Sequence, residues 1–342
     1  VSMSLFVSAA APGMLSLSAG WSSWPRTIQS AARQRTSTLI MSSLVVALDF
    51  DGVICDSEPE LTRTAWRTAR ELWPSLMEET AALEETRATP GQLGARKAWA
   101  KGSWDELRGN GEDGLPRWLR AKLRLLRPVV ETGFESVLLL RLCAEEALAA
   151  GPAKRPLTIG EMSTNWGSEL RDSLLTRYNI RREDAIAAFG ATRDAWIAED
   201  EAGWLGANAF YEGAMEAVRG ALGRDEDAKV YVVTTKQARF AEQLLRSQHV
   251  HLPDGALFGL GSGTKPDTLA SLRQKHPEAT LRFVEDKAET IRAAASDPRL
   301  FSVGLYFAEW GYSTPEQAAL AASMPRVQSL ARARDLASVL QL

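Results

Sequence analysis

The sequence has few of the features that mark several common protein classes. Its 342 residues include two cysteines, which is too few for a disulfide framework, so a reducing compartment is expected. No apolar run reaches the roughly 18 residues of a membrane-spanning helix, so no membrane partner is expected. The net charge of −3 provides no basic excess, which argues against nucleic acid as a partner.

The first 43 residues contain no acidic side chain. They hold 11 serines, three threonines and three arginines. A serine-rich, arginine-bearing and acid-poor segment is typical of a transit peptide, which would place the protein in the plastid (chloroplast) stroma. The alternative is that this stretch is not translated, with Met41 as the start and a cytoplasmic location. In both cases residues 1–43 are left out of the predicted fold.

The remainder of the chain shows two patterns. Residues 44–50 have the composition of a short buried strand, and strand and helix patterns alternate after about residue 210. We predict strands at 228–235, 256–263, 280–286 and 301–312. The last segment, 329–342, is predicted to be a closing helix. This alternation predicts an α/β fold, a doubly wound parallel sheet with helices on both faces.

Residues 58–205 interrupt that alternation with patterns that are mostly helical. We therefore predict a large all-helical cap domain over 58–205 and an α/β core made of 44–57 and 206–342. The insertion follows directly after the first strand. Ligands of open α/β sheets bind at the carboxyl ends of the strands, so the helical segment is expected to cover the site.

Polar residues follow the apolar strands where the strands end. The run LVVALDFDG places Asp49 and Asp51 directly after the first strand. The corresponding residues after the other strands are Thr234, Thr235, Lys265, Glu285 and Asp286. Carboxylate oxygens suit Mg²⁺, whereas lysine and threonine suit phosphate oxygens. Two adjacent buried carboxylates are costly, so a cation or a reaction is expected to require them.

Four segments resemble, in order, the motifs of the haloacid dehalogenase superfamily of hydrolases. They are DFDGVICDS, VYVVTT, KPDT and FVEDKAE. The resemblance covers residues 44–342, and it is to phosphatases with a Rossmann-like core and a helical cap inserted after the first motif. Family members that displace halide from carbon lack a carboxylate at the position of Asp51, so its presence favours phosphoryl transfer.

The resemblance implies a role for each motif residue. Asp49 would be the nucleophile that forms an aspartyl-phosphate, and Asp51 would be the general acid and base. Thr234 would donate a hydrogen bond to the phosphoryl group, and Lys265 would neutralise its charge. The substrate contacts implied in this way are Thr234, Thr235, Lys265 and Gly52.

The metal site implied by the resemblance consists mainly of carboxylates. Asp49, Asp286 and the backbone carbonyl of Asp51 would bind Mg²⁺, and Glu285 would bind it directly or through water. The fourth motif of the family commonly begins with Gly-Asp, whereas this chain has Glu285-Asp286. The role of Glu289, three residues further on, is left open.

These residues predict a Mg²⁺-dependent phosphatase, a phosphoric monoester hydrolase that acts on a small phosphorylated metabolite. Phosphoglycolate and sugar phosphates are the first candidates. One alternative is a phosphotransferase or phosphomutase that uses the same aspartyl-phosphate. Another is a binding protein that keeps the fold without turnover. The sequence makes no prediction about oligomeric state.

Overall fold

The computed structural model describes residues 43–83, 113–151, 155–224 and 228–342. Of the segment predicted to be a leader, 1–43, only the last residue belongs to these ranges, so that prediction lies outside the described part of the chain. No described helix is both long and apolar enough to cross a lipid bilayer.

Eight strands occur in the described residues, and six of them form one sheet. In chain order the strands are β1 (Leu44–Leu48), β2 (Cys55–Asp56), β3 (Ala209–Phe210), β4 (Ala228–Val233), β5 (Leu257–Phe258), β6 (Thr280–Glu285), β7 (Gly304–Ala308) and β8 (Val327–Leu330). The sheet order is β5-β4-β1-β6-β7-β8, and every pairing in it is parallel. β2 and β3 form a separate antiparallel ribbon.

The described helices accompany these strands along the chain. They are α1 (Glu58–Leu72), α2 (Pro74–Ala81), α3 (Arg117–Leu126), α4 (Phe134–Leu148), α5 (Ile159–Asn165), α6 (Arg171–Arg177), α7 (Arg182–Gly206), α8 (Ala214–Leu222), α9 (Ala238–Ser247), α10 (Lys265–Lys275), α11 (Ala288–Ser296), α12 (Pro315–Ala322) and α13 (Leu336–Val339).

The central strand β1 is apolar throughout and buried along its whole length. Alternate side chains point to opposite faces of a strand. Val46 and Leu48 therefore pack with α8, α9 and α13 on one face, whereas Val45 and Ala47 pack with α10 and α11 on the other. Both faces of the sheet are covered by helices, which confirms the predicted doubly wound α/β fold.

The pairing register brings the ends of three strands to one level. Leu48 at the end of β1 lies opposite Val232 of β4 and Val284 of β6. The next residue, Asp49, donates its backbone N–H to the carbonyl of Val284 at 3.0 Å. The residues that follow β1, β4 and β6 consequently lie at the same edge of the sheet.

One predicted element is wrong. Residues 329–342 were expected to form a single closing helix, but Ser329 and Leu330 belong to β8, and α13 spans only Leu336–Val339. β8 pairs with β7 as the last strand of the sheet. A strand of four residues is too short to show a periodic hydrophobic pattern. β8 is instead defined by its backbone pairing with β7, which the sequence does not reveal.

The helices between β2 and β3 pack around a hydrophobic cluster of their own. That cluster extends from Leu61 in α1 to Phe189 in α7. The second half of α7 belongs to the core instead, because Trp196 and Trp204 pack in the cluster on one face of the sheet. Among the described residues from 58 to 206 there is no strand, as the sequence patterns predict.

A buried ion pair links the first and last of these helices. Arg193 of α7 donates two hydrogen bonds to Glu60 of α1, from Nε at 2.7 Å and from Nη2 at 2.6 Å. Thr64 and Trp204 donate further hydrogen bonds to the same carboxylate. A buried charge is tolerated when its hydrogen-bonding capacity is satisfied in this way.

Removing one partner of this pair should therefore be costly. Arg193→Met should lower the free energy of unfolding by about 3–5 kcal/mol. It removes both charged hydrogen bonds to the buried Glu60 and leaves Lys236, at 3.9 Å, as the nearest described cation. Arg239→Met is the matched control, since Arg239 makes a two-bond pair with Asp194 that is about half exposed, and it should cost less than about 1 kcal/mol. Chemical denaturation measures both values, and equal losses would contradict the assignment.

Candidate active site

The carboxyl edge of the sheet carries the polar residues that the sequence analysis singled out. Asp49 follows β1, Thr234 follows β4, and Glu285 ends β6. Asp286 comes next, and Lys265 is the first residue of α10. A cavity of about 390 Å³ opens at this edge, lined by Asp49, Asp51, Thr234, Thr235 and Lys265 on the sheet side and by Arg127, Val130 and Glu131 on the helical side.

Lys265 lies between two buried carboxylates. Its Nζ is 2.8 Å from Asp49 Oδ2 and 2.6 Å from Glu285 Oε2. Burial alone would lower the pKa of Lys265, but the two carboxylates outweigh it and hold that pKa above its usual range. The amine is held at the start of α10, where the Thr264 hydroxyl caps the helix by accepting from the N–H of Asp267. Lys265 is therefore charged and fixed beside Asp49.

Three carboxylates at this edge could hold a metal ion. Asp49, Glu285 and Asp286 each offer an oxygen, and these oxygens lie within 4.8 Å of one another. Asp286 Oδ2 accepts from the N–H of Tyr312 at 2.6 Å, whereas Asp286 Oδ1 is buried without a hydrogen-bond partner. A buried carboxylate oxygen without a partner is costly. A hard divalent cation such as Mg²⁺ fits this donor set.

The electrostatics of the cluster lead to the same conclusion. Burial raises the pKa of Asp49 to about 7, although Lys265 opposes the increase. Burial likewise raises the pKa of Glu285 and of Asp286. Lys265 contacts two of the three acids, and Lys287 and Arg127 act on Asp286 from farther away. Burial outweighs these cations, so a divalent cation would stabilise the ionised form of the cluster.

The three carboxylates differ in how fully they are already bonded. Glu285 Oε2 accepts from Lys265, and Glu285 Oε1 accepts from the N–H groups of Asp286 and Lys287 at 3.2 and 3.1 Å. Because both of its oxygens are occupied, Glu285 is better placed to orient Lys265 than to bind a metal directly. The open oxygen of the cluster is that of Asp286.

Asp51 lies beside a second buried lysine. Its Oδ1 accepts a short hydrogen bond from the Ser57 hydroxyl and is 3.3 Å from Lys236 Nζ. Burial would raise the pKa of Asp51, but Lys236 and Arg127 outweigh it, so the pKa is lower than usual. Asp51 is thus ionised, and it lines the same cavity as Asp49.

Gly52 packs against the carboxylate cluster and is not among the residues that line the cavity. Its φ of +90° lies in the region that favours glycine, and a Cβ atom there would come within 2.1 Å of Asp286 Oδ2. The chain can pass this close to Asp286 only without a side chain. The structure therefore places Gly52 where it shapes the carboxylate cluster.

The two threonines after β4 have different surroundings. Thr234 is buried, and its hydroxyl oxygen accepts a hydrogen bond from the N–H of Lys236 at 3.1 Å. The hydroxyl proton is not used in this contact, so it is available for an acceptor in the cavity. The Thr235 hydroxyl donates to the carbonyl of Glu131 at 2.6 Å. Thr235 therefore contacts the helical segment, as well as lining the cavity.

Glu289 lies outside the carboxylate cluster. It is exposed, and its carboxylate accepts from Gln317 Nε2 at 3.4 Å. It lines the cavity at one side. The structure gives it no contact with Asp49 or Asp286 that would make it a ligand of the same ion.

Sequence reasoning missed three cations near the cavity: Lys236, Lys287 and Arg127. Two of them had a detectable signal, because Lys236 directly follows Thr234-Thr235 and Lys287 directly follows Glu285-Asp286. Lys287 Nζ donates to the carbonyls of Pro128 and Val130 at 3.0 and 2.6 Å. Arg127 comes from the helical segment, and no motif marks it.

No protein-family model matches the sequence, and no curated protein matches it. Solved structures with a similar fold include a predicted phosphatase from Clostridium acetobutylicum, with 14% identity, 88% of this chain and 100% of that chain covered, and a TM-score of 0.44. A predicted phosphoglycolate phosphatase from Haemophilus somnus has 16% identity over 87% of this chain and 98% of that chain, with a TM-score of 0.43.

A third similar structure is a haloacid dehalogenase-like hydrolase from Streptococcus pneumoniae. It has 11% identity, 85% of this chain and 95% of that chain covered, and a TM-score of 0.40. At such identities and TM-scores, the likeness supports no inference about the chemistry or the substrate of this chain.

The close approach of Gly52 to Asp286 leads to a stability prediction. Gly52→Ala should lower the free energy of unfolding by about 3 kcal/mol or more, because it combines a strained φ with an overlap that Asp286 must relieve. Gly255→Ala is the control, since Gly255 has a φ of +73° and open space around it, and it should cost about 1 kcal/mol. Urea denaturation of both variants measures the difference, and equal costs would contradict the packing described.

A pH-dependent response to metal is the second prediction. The pKa of Asp49 in the folded protein is about 7, above its ordinary value of 3.8, so the metal-free folded state binds more protons than the unfolded chain between these values. Its stability therefore falls as the pH rises through this window. Because Mg²⁺ competes with those protons, it should raise the Tm by several degrees near pH 8 and by much less near pH 5.5.

Thermal unfolding with Mg²⁺ or with EDTA, at both pH values, measures this response. Asp286→Asn should abolish the Mg²⁺-dependent shift, because it removes the charge of the open ligand. Asp172→Asn alters an exposed acid on α6 and should leave the shift unchanged. A shift of the same size at both pH values would show that Mg²⁺ binds elsewhere.

Proposed function

We propose that the chain is a Mg²⁺-dependent phosphohydrolase of the haloacid dehalogenase type, which hydrolyses a phosphate ester through an aspartyl-phosphate on Asp49. The observation that supports it best is the contact of Lys265 with both Asp49 and Glu285 beside a carboxylate cluster with an open oxygen. Asp51 completes the set, because it lines the same cavity two residues after Asp49.

Asp49 is the nucleophile in this proposal. Its Oδ1 accepts from the N–H of Phe50 at 2.7 Å, and its Oδ2 contacts Lys265. These contacts orient the carboxylate and favour its ionised form, which is the form that attacks phosphorus. The Oδ–P bond forms as the bond from phosphorus to the leaving oxygen breaks, and water then hydrolyses the aspartyl-phosphate.

The developing charge on the phosphoryl oxygens is met by fixed groups. Lys265 is charged and held by Glu285, so it needs no reorganisation when the phosphoryl group arrives. The Thr234 hydroxyl lines the cavity and donates to a second phosphoryl oxygen. Mg²⁺ held by Asp49, Asp286 and the backbone carbonyl of Asp51 would supply further neutralisation of the phosphoryl charge.

Asp51 handles the protons. The protonated form of Asp51, which the lowered pKa makes the minor form in the free site, donates a proton to the leaving oxygen in the first step. The carboxylate formed in that step takes a proton from the attacking water in the second. It shares the cavity with Asp49, and its contacts with Ser57 and Lys236 hold its carboxylate in a defined position. The two aspartates of DFDG thus divide nucleophilic and acid–base work.

The helical segment 58–205 acts as a cap over this chemistry. Hydrogen bonds join its described residues to the sheet edge. Among them, the Thr235 hydroxyl donates to Glu131 O, and Lys287 Nζ donates to Pro128 O and Val130 O. The cavity between them is about 390 Å³, which suits a small phosphorylated metabolite. Closure of this kind excludes bulk water while the aspartyl-phosphate forms.

Replacing the nucleophile tests the proposal. Asp49→Asn should reduce Mg²⁺-dependent release of inorganic phosphate from p-nitrophenyl phosphate by at least about 1,000-fold, because an amide cannot form the acyl phosphate. The folded structure should persist, since the substitution removes a buried charge without changing the side-chain size. Steady-state assays with Mg²⁺ and with EDTA, and circular dichroism, measure the two properties.

Asp172→Asn is the control, and it should retain wild-type activity because Asp172 lies on the exposed surface of α6. Turnover by Asp49→Asn at the wild-type rate would rule out the covalent mechanism. Release of the alcohol without a matching amount of inorganic phosphate would indicate transfer to a second substrate. The absence of any Mg²⁺-dependent turnover by the wild type would favour a non-catalytic binding protein.

A further inference from the structure

The helical side of the cavity carries a buried arginine that makes no ion pair with any described residue. Arg127 lies between α3 and α4, lines the cavity and is 6% exposed. Its Nη1 donates to the carbonyl of Val130 at 3.0 Å, and its guanidinium carbon is 3.9 Å from the centre of the Tyr312 ring. Its Nε has no hydrogen-bond partner in the described residues.

No carboxylate oxygen of the described residues lies within the 4.0 Å of an ion pair with Arg127. Of the carboxylates that act electrostatically on Arg127, Asp51 has the largest effect. Asp51 already forms an ion pair with Lys236 at 3.3 Å. Glu131 also lines the cavity, but its carboxylate is 3.9 Å from Arg171 and mostly exposed. Asp51, Asp286 and Glu58 together raise the pKa of Arg127 from beyond ion-pair distance, but its buried Nε has no acceptor among the described residues. A buried donor without an acceptor is costly, so a ligand in the cavity is expected to supply one.

The segment that carries Arg127 is held in place by the core. Lys287 Nζ donates to the carbonyls of Pro128 and Val130, and the Thr235 hydroxyl donates to that of Glu131. The Tyr312 ring supports the guanidinium from one side. An arginine fixed in this way loses little conformational freedom when an anion binds.

The position of Arg127 indicates which part of a substrate it would meet. Under the proposed function, Asp49, Thr234 and Lys265 hold the reacting phosphoryl group, and Asp51 protonates the leaving oxygen. Asp49, Thr234 and Lys265 line the cavity from the sheet edge, whereas Arg127 lines it from the helical segment. Arg127 is therefore on the side of the leaving alcohol, whereas Lys265 on α10 is on the side of the phosphoryl group.

We propose that Arg127 is a specificity-determining residue that binds a second anionic group, a carboxylate or a phosphate, on the alcohol part of the substrate. The preferred substrates are then small phosphate esters of anionic alcohols, and phosphate esters of neutral alcohols are poorer substrates. This inference rests on the proposed function, because it uses the direction of phosphoryl transfer assigned there.

Matched pairs of esters test the inference. One pair is 3-phosphoglycerate and glycerol 3-phosphate, and the other is 2-phosphoglycolate and 2-hydroxyethyl phosphate. Within each pair a carboxylate replaces a hydroxymethyl group. For the wild type, kcat/KM should be at least about 10-fold higher for the carboxylate ester of one or both pairs, as expected for a charged hydrogen bond.

The variants are Arg127→Met and Arg127→Lys. Arg127→Met should lower the ratio of the two kcat/KM values about 10- to 100-fold, because it removes the contact with the anion. Arg127→Lys keeps the charge and should retain part of the preference. Arg141→Met is the control, since Arg141 stacks on Tyr178 at 3.9 Å in the same helical segment and should leave the ratio unchanged. If the methionine variant does not fold, Arg127→Gln replaces it.

The outcomes separate this inference from the proposed function. Turnover of p-nitrophenyl phosphate with no preference for either carboxylate ester would overturn the role of Arg127 and leave the phosphohydrolase proposal standing. An equal loss on both members of a pair in Arg127→Met would assign the residue to the reacting phosphoryl group or to the fold. No turnover of any ester would refute the proposed function, and this inference with it.

Discussion

The ammonium group of Lys265 lies 2.8 Å from Asp49 and 2.6 Å from Glu285, and this contact sets the requirements for the rest of the site. Burial raises the pKa of all three carboxylates in spite of the neighbouring cations, so protons or a metal ion would stabilise the cluster. The parallel register of β1, β4 and β6 brings these groups together. The sheet thus concentrates buried carboxylates at one edge, and the proposed function assigns a metal ion and a phosphate to them.

Much of this arrangement could be predicted because each residue follows a strand. An apolar run that ends in Asp49 is visible in the sequence, and parallel strand ends must meet at one edge. β8 could not be predicted in this way, because an edge strand of four residues depends on its neighbour β7. Arg127 could not be predicted either, since its position depends on how the helical segment packs above the sheet.

The helical segment contributes to the site through backbone carbonyls as well as side chains. The carbonyls of Pro128, Val130 and Glu131 accept hydrogen bonds from Lys287 and Thr235. A carbonyl is present whatever the residue type, so sequence patterns do not reveal these contacts. These hydrogen bonds hold the backbone next to Arg127. Thr235 and Lys287 therefore help to determine where the helical segment lies over the cavity.

The pairing of β1 bears on the order in which the chain acquires its structure. Leu44 pairs with Ala228 on one side and with Thr280 on the other, so the central strand has no sheet partner until the last third of the chain has been made. The helices between Leu61 and Phe189 have their own hydrophobic cluster and can pack earlier. Long-range pairing slows folding and leaves strand edges exposed. During synthesis on the ribosome, the apolar segment LVVAL therefore has no partner strand until β4 and β6 have been made.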